Sequence, residues 1–243
     1  MNLVLFEPGE TDRPLSRRDK RAVHIVEVLK RKTGDTFDVG VVNGARGKAT
    51  LQEITPANLH LSFSWSAPPP PLFPITLIIG LPRPQTARKI LQEATALGVS
   101  AMHFVMTERG EPSYASSTLW TSGEWRRHLL TGAAQAFCTR IPTVTNSQML
   151  DLLLPNTSAA TNKIAMDNYE APAPLASALR QNSADENSYV VIAIGSERGW
   201  TAGERDCLRA HQFTLAHLGS RVLRTETAVV AAVSIVRSTL GWF

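Results

Sequence analysis

The sequence predicts an α/β protein in two parts, a small β-rich segment followed by a larger domain of alternating strands and helices. A proline-rich stretch at Ser66–Pro74 separates them, because such a run can continue neither a helix nor a central strand. Beyond it, apolar runs typical of buried strands alternate with helical patterns. We therefore place one domain at residues 1–70 and another at 73–243, and 243 residues suffice for both.

The first domain is expected to contain one helix and several strands. A basic stretch from about Ser16 to Arg31 has helical periodicity, and the Ser16 hydroxyl can cap its start. Apolar and polar residues then alternate in three strand-like segments, at 36–42, 47–55 and 58–65. Asn43-Gly44 is a hairpin signal between the first two segments. The pattern predicts a small β-barrel or sandwich that carries a basic helix.

The second domain is predicted to be built on a mostly parallel sheet. Its strand candidates lie at 75–81, 102–106, 163–167, 189–195 and 212–218. Helical patterns separate them at 86–98, 124–137 and 174–181, and further helices open at Thr201 and after residue 224. Strands that alternate with helices in this way favour parallel pairing.

The composition excludes several classes of protein. Cys138 and Cys207 are too few for a disulfide framework, and the six histidines lack the spacing of metal ligands, so we predict no metal site. No apolar run reaches the roughly 18 residues that a membrane span needs. Acidic and proline residues come too early for a signal peptide, and we therefore expect a cytoplasmic protein.

Positive charge is concentrated near the start of the chain. Eight Lys or Arg residues lie between Arg13 and Lys32 against Asp19 and Glu27, which leaves a net charge of +6 there, in a chain whose total is +4. Such a face attracts phosphate backbones. A solvated helix face explains this stretch equally well.

Two loops that follow predicted strands are candidate ligand sites, since ligands of open parallel sheets bind at the carboxyl ends of strands. The first begins at Ile194-Gly195 and leads into Thr201-x-x-Glu204, a capping box. The second precedes the last helix and contains Arg224 and Glu226. Burying such charges without partners costs several kcal/mol. The spacing fits either a ligand site or a structural ion pair.

Taken in order, the motifs resemble those of the bacterial 16S ribosomal RNA uridine-N3 methyltransferases of the SPOUT class, over nearly the whole chain. The matching stretches are HIVEVLKRKTGD, KILQEATALGV, TERG, AAQAFCTRIP, IGSERGWTAGE and, most specifically, LGSRVLRTETAVVAA. The resemblance implies S-adenosylmethionine as cofactor and a deep trefoil knot in the second domain. It further implies a PUA-like or OB-like RNA-binding barrel in the first domain, ribosomal RNA as partner, and a homodimer.

The resemblance also implies which residues form the site. Three loops would bind the cofactor through Met166, Ile194, Gly195, Glu197, Gly199, Leu218, Gly219, Val222, Leu223, Arg224, Thr225 and Thr227. We predict that Arg224 stabilises negative charge on the uracil carbonyls, and that Glu226 orients Arg224 or acts on the N3 proton. The candidate RNA contacts are Arg17, Arg18, His24, Lys30, Arg109 and Arg140. Arg109 and Arg140 fit a partner-subunit contact or a structural ion pair as well, and His24 and Lys30 fit plain surface positions.

The chain departs from the family pattern at several positions. Residues 195–199 read GSERG where the family reads GPEGG, so Arg198 replaces a glycine and would strain any backbone that needs a positive φ there. Lys30, Ala96, Ala134 and Cys138 also differ from the family's residues.

Three other functions stay open. One is a SPOUT methyltransferase for another RNA, such as transfer RNA, and another is a noncatalytic RNA-binding or assembly factor that keeps the fold. The third is a Rossmann-type dinucleotide enzyme, which the missing GxGxxG after the first strand of the second domain disfavours.

Overall fold

The computed structural model describes residues 3–66, 68–157, 159–182 and 184–242. The chain divides into two compact units. Unit 1 comprises Met1–Pro71 and Ala133–Ile141, and unit 2 comprises Leu72–Gly132 and Pro142–Phe243.

The segment Ala133–Ile141, which the sequence placed in the second domain, belongs to unit 1 because its polar groups pair there. The Leu3 N–H donates to the Ala134 carbonyl over 3.3 Å, and the Asn43 N–H donates to the Thr139 carbonyl over 2.8 Å. These partners are about a hundred residues apart in sequence, so local periodicity carries no sign of them.

Unit 1 is built on a five-stranded sheet. The chain passes through β1 (Val4–Phe6), β2 (Leu15–Ser16), α1 (Lys20–Val23), β3 (Thr36–Val41), β4 (Arg46–Ile54) and β5 (Asn58–Trp65). The strand order is β1-β3-β4-β5-β2, in which β1 and β3 are parallel and the other pairs are antiparallel. Asn43, with φ 58°, lies in the turn of the β3–β4 hairpin, so the hairpin prediction is confirmed.

The helix predicted from Ser16 to Arg31 is wrong in its start and its length. Ser16 pairs with Asn58 in the sheet, and the helix begins after Asp19, whose Oδ1 accepts a hydrogen bond from the Arg21 backbone N–H over 2.8 Å. Strand pairing thus takes the residue that we expected to be the cap, and a second good capping residue replaces it. The helix α1 has only four residues and continues as a π-helical turn, His24–Val28.

The later elements alternate strands and helices. They are β6 (Phe73–Gly80), α2 (Pro84–Ala96), β7 (Val99–Met106), α3 (Thr118–Thr121), α4 (Glu124–Gln135), β8 (Thr143–Met149), α5 (Leu150–Leu153), β9 (Asn162–Met166), β10 (Ala173–Pro174), α6 (Leu175–Gln181), β11 (Val190–Ile194), α7 (Ala202–Ala210), β12 (Thr214–His217) and α8 (Thr225–Thr239). No helix in the described ranges is both long and apolar enough to cross a membrane.

The seven strands β6 to β12 form one sheet in unit 2, ordered β10-β12-β9-β11-β6-β7-β8, and every pair is parallel. The predicted parallel sheet is therefore confirmed. Four neighbouring strands, β12, β9, β11 and β6, bring their carboxyl ends side by side. The last helix, α8, packs against α2 and α6 and buries Val229, Ala232, Val233 and Val236 completely.

Candidate functional site

A cavity of about 610 Å³ lies where the four neighbouring strands end. Its volume falls within the range of about 300 to 1,000 Å³ that is usual for small-molecule sites. The walls come from the loops after β9, β11 and β12 and from the first residues of α2, which follows β6. Each wall thus belongs to a loop or helix that leaves the carboxyl end of a parallel strand, where such sheets bind ligands.

Most residues predicted to bind a cofactor line this cavity. The ten that do are Met166, Ile194, Gly195, Glu197, Gly199, Leu218, Val222, Leu223, Arg224 and Thr225. Gly219 and Thr227 do not line it: Gly219 is exposed and has φ 109°, and Thr227 is exposed on α8. The two predicted catalytic residues, Arg224 and Glu226, both belong to the wall.

Close backbone packing shapes the loop after β11. A Cβ atom on Gly195 would lie 3.0 Å from the Gly199 backbone, and Gly199 itself has φ 65°, so a side chain is strained at both positions. Arg198 is not among the residues with positive φ, and its side chain is exposed. The condition under which Arg198 would strain the backbone is therefore not met, because the positive φ falls one residue later, at Gly199.

Hydrogen bonds fasten this loop to its neighbours. The Trp200 indole N–H donates to the Met166 carbonyl over 3.1 Å, which joins the loop after β11 to the end of β9. The predicted capping box is present: the Thr201 hydroxyl accepts from the Glu204 N–H, and the Glu204 carboxylate accepts from the Thr201 N–H. The same buried carboxylate accepts from the Glu108 N–H over 2.8 Å.

The loop after β9 is held by a buried carboxylate. Asp167 Oδ1 accepts from the backbone N–H groups of Tyr169 and Glu170, over 2.8 and 2.6 Å. Arg205 of α7 donates to Asp167 Oδ2 over 3.4 Å and to the Trp200 carbonyl over 2.9 Å. One guanidinium thus ties two walls of the cavity together.

Two ion pairs place opposite charges on the cavity wall. Arg83 Nε lies 3.3 Å from Glu197 Oε1, and Lys89 Nζ lies 3.1 Å from Glu226 Oε1. Burial raises the pKa of the Glu226 carboxyl, but hydrogen bonds from its own N–H and from Lys89, with the charges of Lys89 and Arg224, lower that pKa below its usual range. Glu226 is therefore ionised at neutral pH and pairs with Lys89. Its predicted roles, orienting Arg224 or acting on the N3 proton, remain predictions.

The loop after β12 leaves its large side chains open to solvent. Val222 is 80% exposed, and Arg221 and Arg224 are exposed beside it. Tyr169, on the opposite loop, is 77% exposed and lines the same cavity. These side chains are exposed to solvent and line the cavity, so a ligand bound there would bury them.

Sequence reasoning missed the wall formed by α2. Arg83, Gln85, Thr86 and Lys89 line the cavity, although none was a candidate. The signal that could have found them is the rule applied to the other loops, since α2 follows the carboxyl end of the buried strand β6.

The predicted RNA contacts are distributed over both units. Arg17, Arg18, His24, Lys30 and Arg140 belong to unit 1, and Arg109 belongs to unit 2. Arg18 and Lys30 are exposed, whereas Arg140 Nε donates to the carbonyls of Pro69 and Pro70 over 3.3 and 3.0 Å. Arg17 and His24 are half-buried. Arg109 is exposed and donates a hydrogen bond to the Arg198 carbonyl over 3.4 Å.

Part of the basic stretch is neutralised by structural ion pairs. Arg21 lies 2.6 Å from Glu10 and 2.7 Å from Asp19, and its guanidinium stacks over the Phe6 ring. Hydrogen bonds from Arg21 hold the pKa values of both carboxyls below their usual range. No group of three or more His, Cys, Asp or Glu side chains within the described residues is arranged to hold a metal ion.

Comparison with known proteins identifies the class. The RNA methyltransferase domain family matches residues 68–237, so the chain belongs to the class of RNA methyltransferases. Ribosomal RNA small subunit methyltransferase E of Treponema pallidum (strain Nichols) is 37% identical over 249 residues, which cover 97% of this chain and 90% of that protein. This chain therefore belongs to the ribosomal RNA small subunit methyltransferase E family.

A second relative and a solved structure agree with this assignment. Ribosomal RNA small subunit methyltransferase E 1 of Borreliella burgdorferi (strain ATCC 35210 / DSM 4680 / CIP 102532 / B31) is 28% identical and covers 99% of both chains. The crystal structure of a ribosomal RNA small subunit methyltransferase E from Neisseria gonorrhoeae, bound to S-adenosyl methionine, has the same fold. Its TM-score is 0.73 at 23% identity, and the alignment covers 98% of each chain.

Proposed function

We propose that this protein transfers a methyl group from S-adenosylmethionine to N3 of a uridine in the 16S RNA of the small ribosomal subunit. The observation that carries the proposal is the cavity of about 610 Å³, where the three loops that the resemblance assigns to the cofactor converge. The name of the 37% identical relative supports a small-subunit RNA substrate, and the Neisseria gonorrhoeae structure supports the cofactor.

The residues of the cavity fit this cofactor. Met166, Ile194, Leu218 and Leu223 offer apolar surface to an adenine ring. Polar groups stand beside them, among them the hydroxyl of Ser196, which is buried and has no hydrogen-bond partner in the described residues. The cofactor, when bound, supplies the methyl group that is transferred.

Arg224 is the residue that we assign to the reacting base. Loss of the N3 proton to solvent water leaves negative charge on the uracil carbonyl oxygens, and a nearby cation lowers the energy of that charge. Arg224 lines the cavity and its side chain is exposed, and although its charge lowers the pKa of Glu226, no side-chain hydrogen bond among the described residues keeps it from a base. The transfer is an in-line displacement, for which correct positioning supplies most of the rate enhancement.

Glu226 is assigned a positioning role. Its lowered pKa makes the carboxylate a poor proton acceptor, and its hydrogen bond fixes Lys89 at the wall. In this proposal Glu226 keeps the Lys89 ammonium group at the cavity wall, where it is a second positive charge near the base.

Unit 1 is the part that we propose grips the RNA. Its exposed Arg18 and Lys30 suit a phosphate backbone, and the sheet fits a PUA-like or OB-like barrel. A base stacked in an RNA helix must be turned out to reach a cavity, so contacts to flanking nucleotides are needed.

The deep knot, the homodimer and the cytoplasmic location complete the proposal. The position of β12 between β9 and β10, reached after β11, supports a chain that passes back between earlier strands. The resemblance assigns a subunit interface to α8, and Val230, Ala231 and Ile235, which are partly exposed on this helix, support that assignment. Ribosome subunits as substrate support the cytoplasm.

The test begins with calorimetric titration of the purified protein with S-adenosylmethionine and, separately, with NAD. We expect saturable binding of the first alone, followed by methyl transfer to small subunits that lack the modification. Transfer to transfer RNA in place of the subunits would support another RNA substrate. Absence of binding to S-adenosylmethionine would support a noncatalytic RNA-binding factor and contradict the proposal.

A further inference from the structure

The cavity wall carries more positive charge than its own carboxylates can neutralise. Its cations are Arg83, Lys89, Arg198, Arg221 and Arg224, and its carboxylates are Asp167, Glu197 and Glu226. Each carboxylate already has a cationic partner, since Glu197 pairs with Arg83, Glu226 with Lys89, and Asp167 with Arg205. Three guanidinium groups lie outside these ion pairs in the part of the chain that the structure describes, and of them only Arg224 acts on a carboxylate of the wall, Glu226.

These three arginines come from two neighbouring loops. Arg198 lies in the loop after β11, and Arg221 and Arg224 lie in the loop after β12. All three side chains are exposed, although all three residues line the cavity, so the charge is at its mouth and not at its base. The Arg198 carbonyl accepts a hydrogen bond from Arg109 Nη1 over 3.4 Å, which brings a fourth arginine to the same loop.

The proposed cofactor does not account for this charge. S-adenosylmethionine carries one carboxylate against an ammonium and a sulfonium group, so its net charge is positive and a cluster of cations disfavours its binding. A single cation suffices for its carboxylate. The excess charge therefore indicates a second, anionic ligand at the same mouth.

Guanidinium groups on adjacent loops have the chemistry of a phosphate site. Arginine presents a rigid fork of donors that matches a phosphate, and several such groups attract a polyanion strongly. Resting on the proposed function, we propose that Arg198 and Arg221 form a phosphate-binding site at the cavity mouth, which holds the RNA backbone next to the target uridine. Arg224 then remains available for the base. The family pattern has glycine at the position of Arg198, so a phosphate contact from Arg198 would be absent from proteins that follow that pattern.

The experiment measures RNA binding as a function of salt concentration. The variants are Arg198→Gln, Arg221→Gln and the double variant, and the probe is an unmodified transcript of 16S ribosomal RNA. Arg198→Lys keeps the charge, and Arg180→Gln removes an exposed arginine of α6 that does not line the cavity. Calorimetric titration with S-adenosylmethionine is carried out on every protein.

We expect each Gln variant of the site to bind the transcript about three- to tenfold more weakly, with the slope of log K against log salt reduced by roughly 0.7 to 0.9. Arg198→Lys should keep the wild-type slope, and Arg180→Gln should keep both slope and affinity. Affinity for S-adenosylmethionine should be unchanged or slightly higher in the Gln variants.

Two results would overturn the proposal while leaving the proposed function intact. One is a salt slope in the double variant equal to that of Arg180→Gln. The other is weaker cofactor binding with unchanged RNA binding, because the arginines would then hold the cofactor carboxylate. A wild-type protein that binds neither the transcript nor S-adenosylmethionine would overturn the proposed function as well.

Discussion

The loops after β11 and β12 line the same cavity, yet they are built differently. The loop after β11 is fixed by backbone packing at Gly195 and Gly199, by the buried indole of Trp200 and by the Thr201 cap. The loop after β12 has an exposed Val222 and exposed arginines. Within the described residues it is held by a single hydrogen bond to a side chain, from the Gly219 N–H to His217 Nδ1 over 3.1 Å.

The difference separates two tasks within one site. A wall that is over-determined by packing keeps the cavity's shape, whereas a wall of free charges leaves its side chains available to ligands. Substitutions of the packed residues of the first loop should therefore change stability, and substitutions in the second should change chemistry or binding with little effect on folding.

The largest effect on stability is expected at Trp200. Trp200→Ala removes a fully buried indole and its hydrogen bond to Met166, and should lower the free energy of unfolding by about 3 to 5 kcal/mol. The matched change Val222→Ala in the other loop should cost less than about 0.5 kcal/mol. Denaturant unfolding measures both, and similar losses in the two loops would contradict the contrast.

The largest effect on catalysis is expected at Arg224. Arg224→Gln should reduce the rate of methyl transfer about 100- to 1,000-fold, since a preorganised cation near developing charge contributes this much. Affinity for S-adenosylmethionine should fall far less than the rate, because Arg224 is one of many residues that line the cavity, and the melting temperature should stay at the wild-type value. Single-turnover kinetics with unmodified subunits measures the rate, and a variant with an undiminished rate would remove Arg224 from the reaction.

Glu226→Gln distinguishes a positioning carboxylate from a proton acceptor. We expect a loss of roughly tenfold in rate, because Lys89 loses its charged partner and a general base would cost more. A lowered pKa means that the carboxylate is ionised above its usual pKa and loses its charge only as pH falls through the lowered value. The pH profiles of wild type and variant should therefore have the same shape above pH ~5. An ascending limb near neutral pH that disappears in the variant would assign the proton to Glu226.

Substitutions at two neighbouring positions of the loop after β11 should differ in their effect on stability. Gly199→Ala should destabilise the protein by about 1 to 2 kcal/mol, because φ is 65° there. Arg198→Ala should stay within about 0.5 kcal/mol of wild type, since its side chain is exposed and its φ is not positive. Thermal unfolding of the pair decides whether the glycine requirement falls at residue 199.

The central strands of unit 2 could be predicted because parallel strands covered on both faces are continuous apolar runs, as in Val190–Ile194. The edge strand Thr143–Met149 could not, since most of its side chains are exposed and no apolar run marks it. The two-residue strand Ala173–Pro174 is too short for any periodicity.

The site could be predicted only as far as its loops carry local signals. The capping box at Thr201 and the charges at Arg224 and Glu226 are visible in the sequence. The partner of Glu226 is not, because Lys89 lies 137 residues away and no local pattern joins them. The late start of the basic helix likewise depends on pairing of Ser16 with Asn58, which is a tertiary contact.

The most direct test of the account is to locate the methyl group. Unmodified small subunits are incubated with S-adenosylmethionine and wild-type protein, and the nucleosides of the 16S RNA are then separated and identified by mass spectrometry. The account predicts N3-methyluridine at one position, and its loss with Arg224→Gln. A methyl group on another atom or another RNA, or transfer that is indifferent to Arg224, would contradict it.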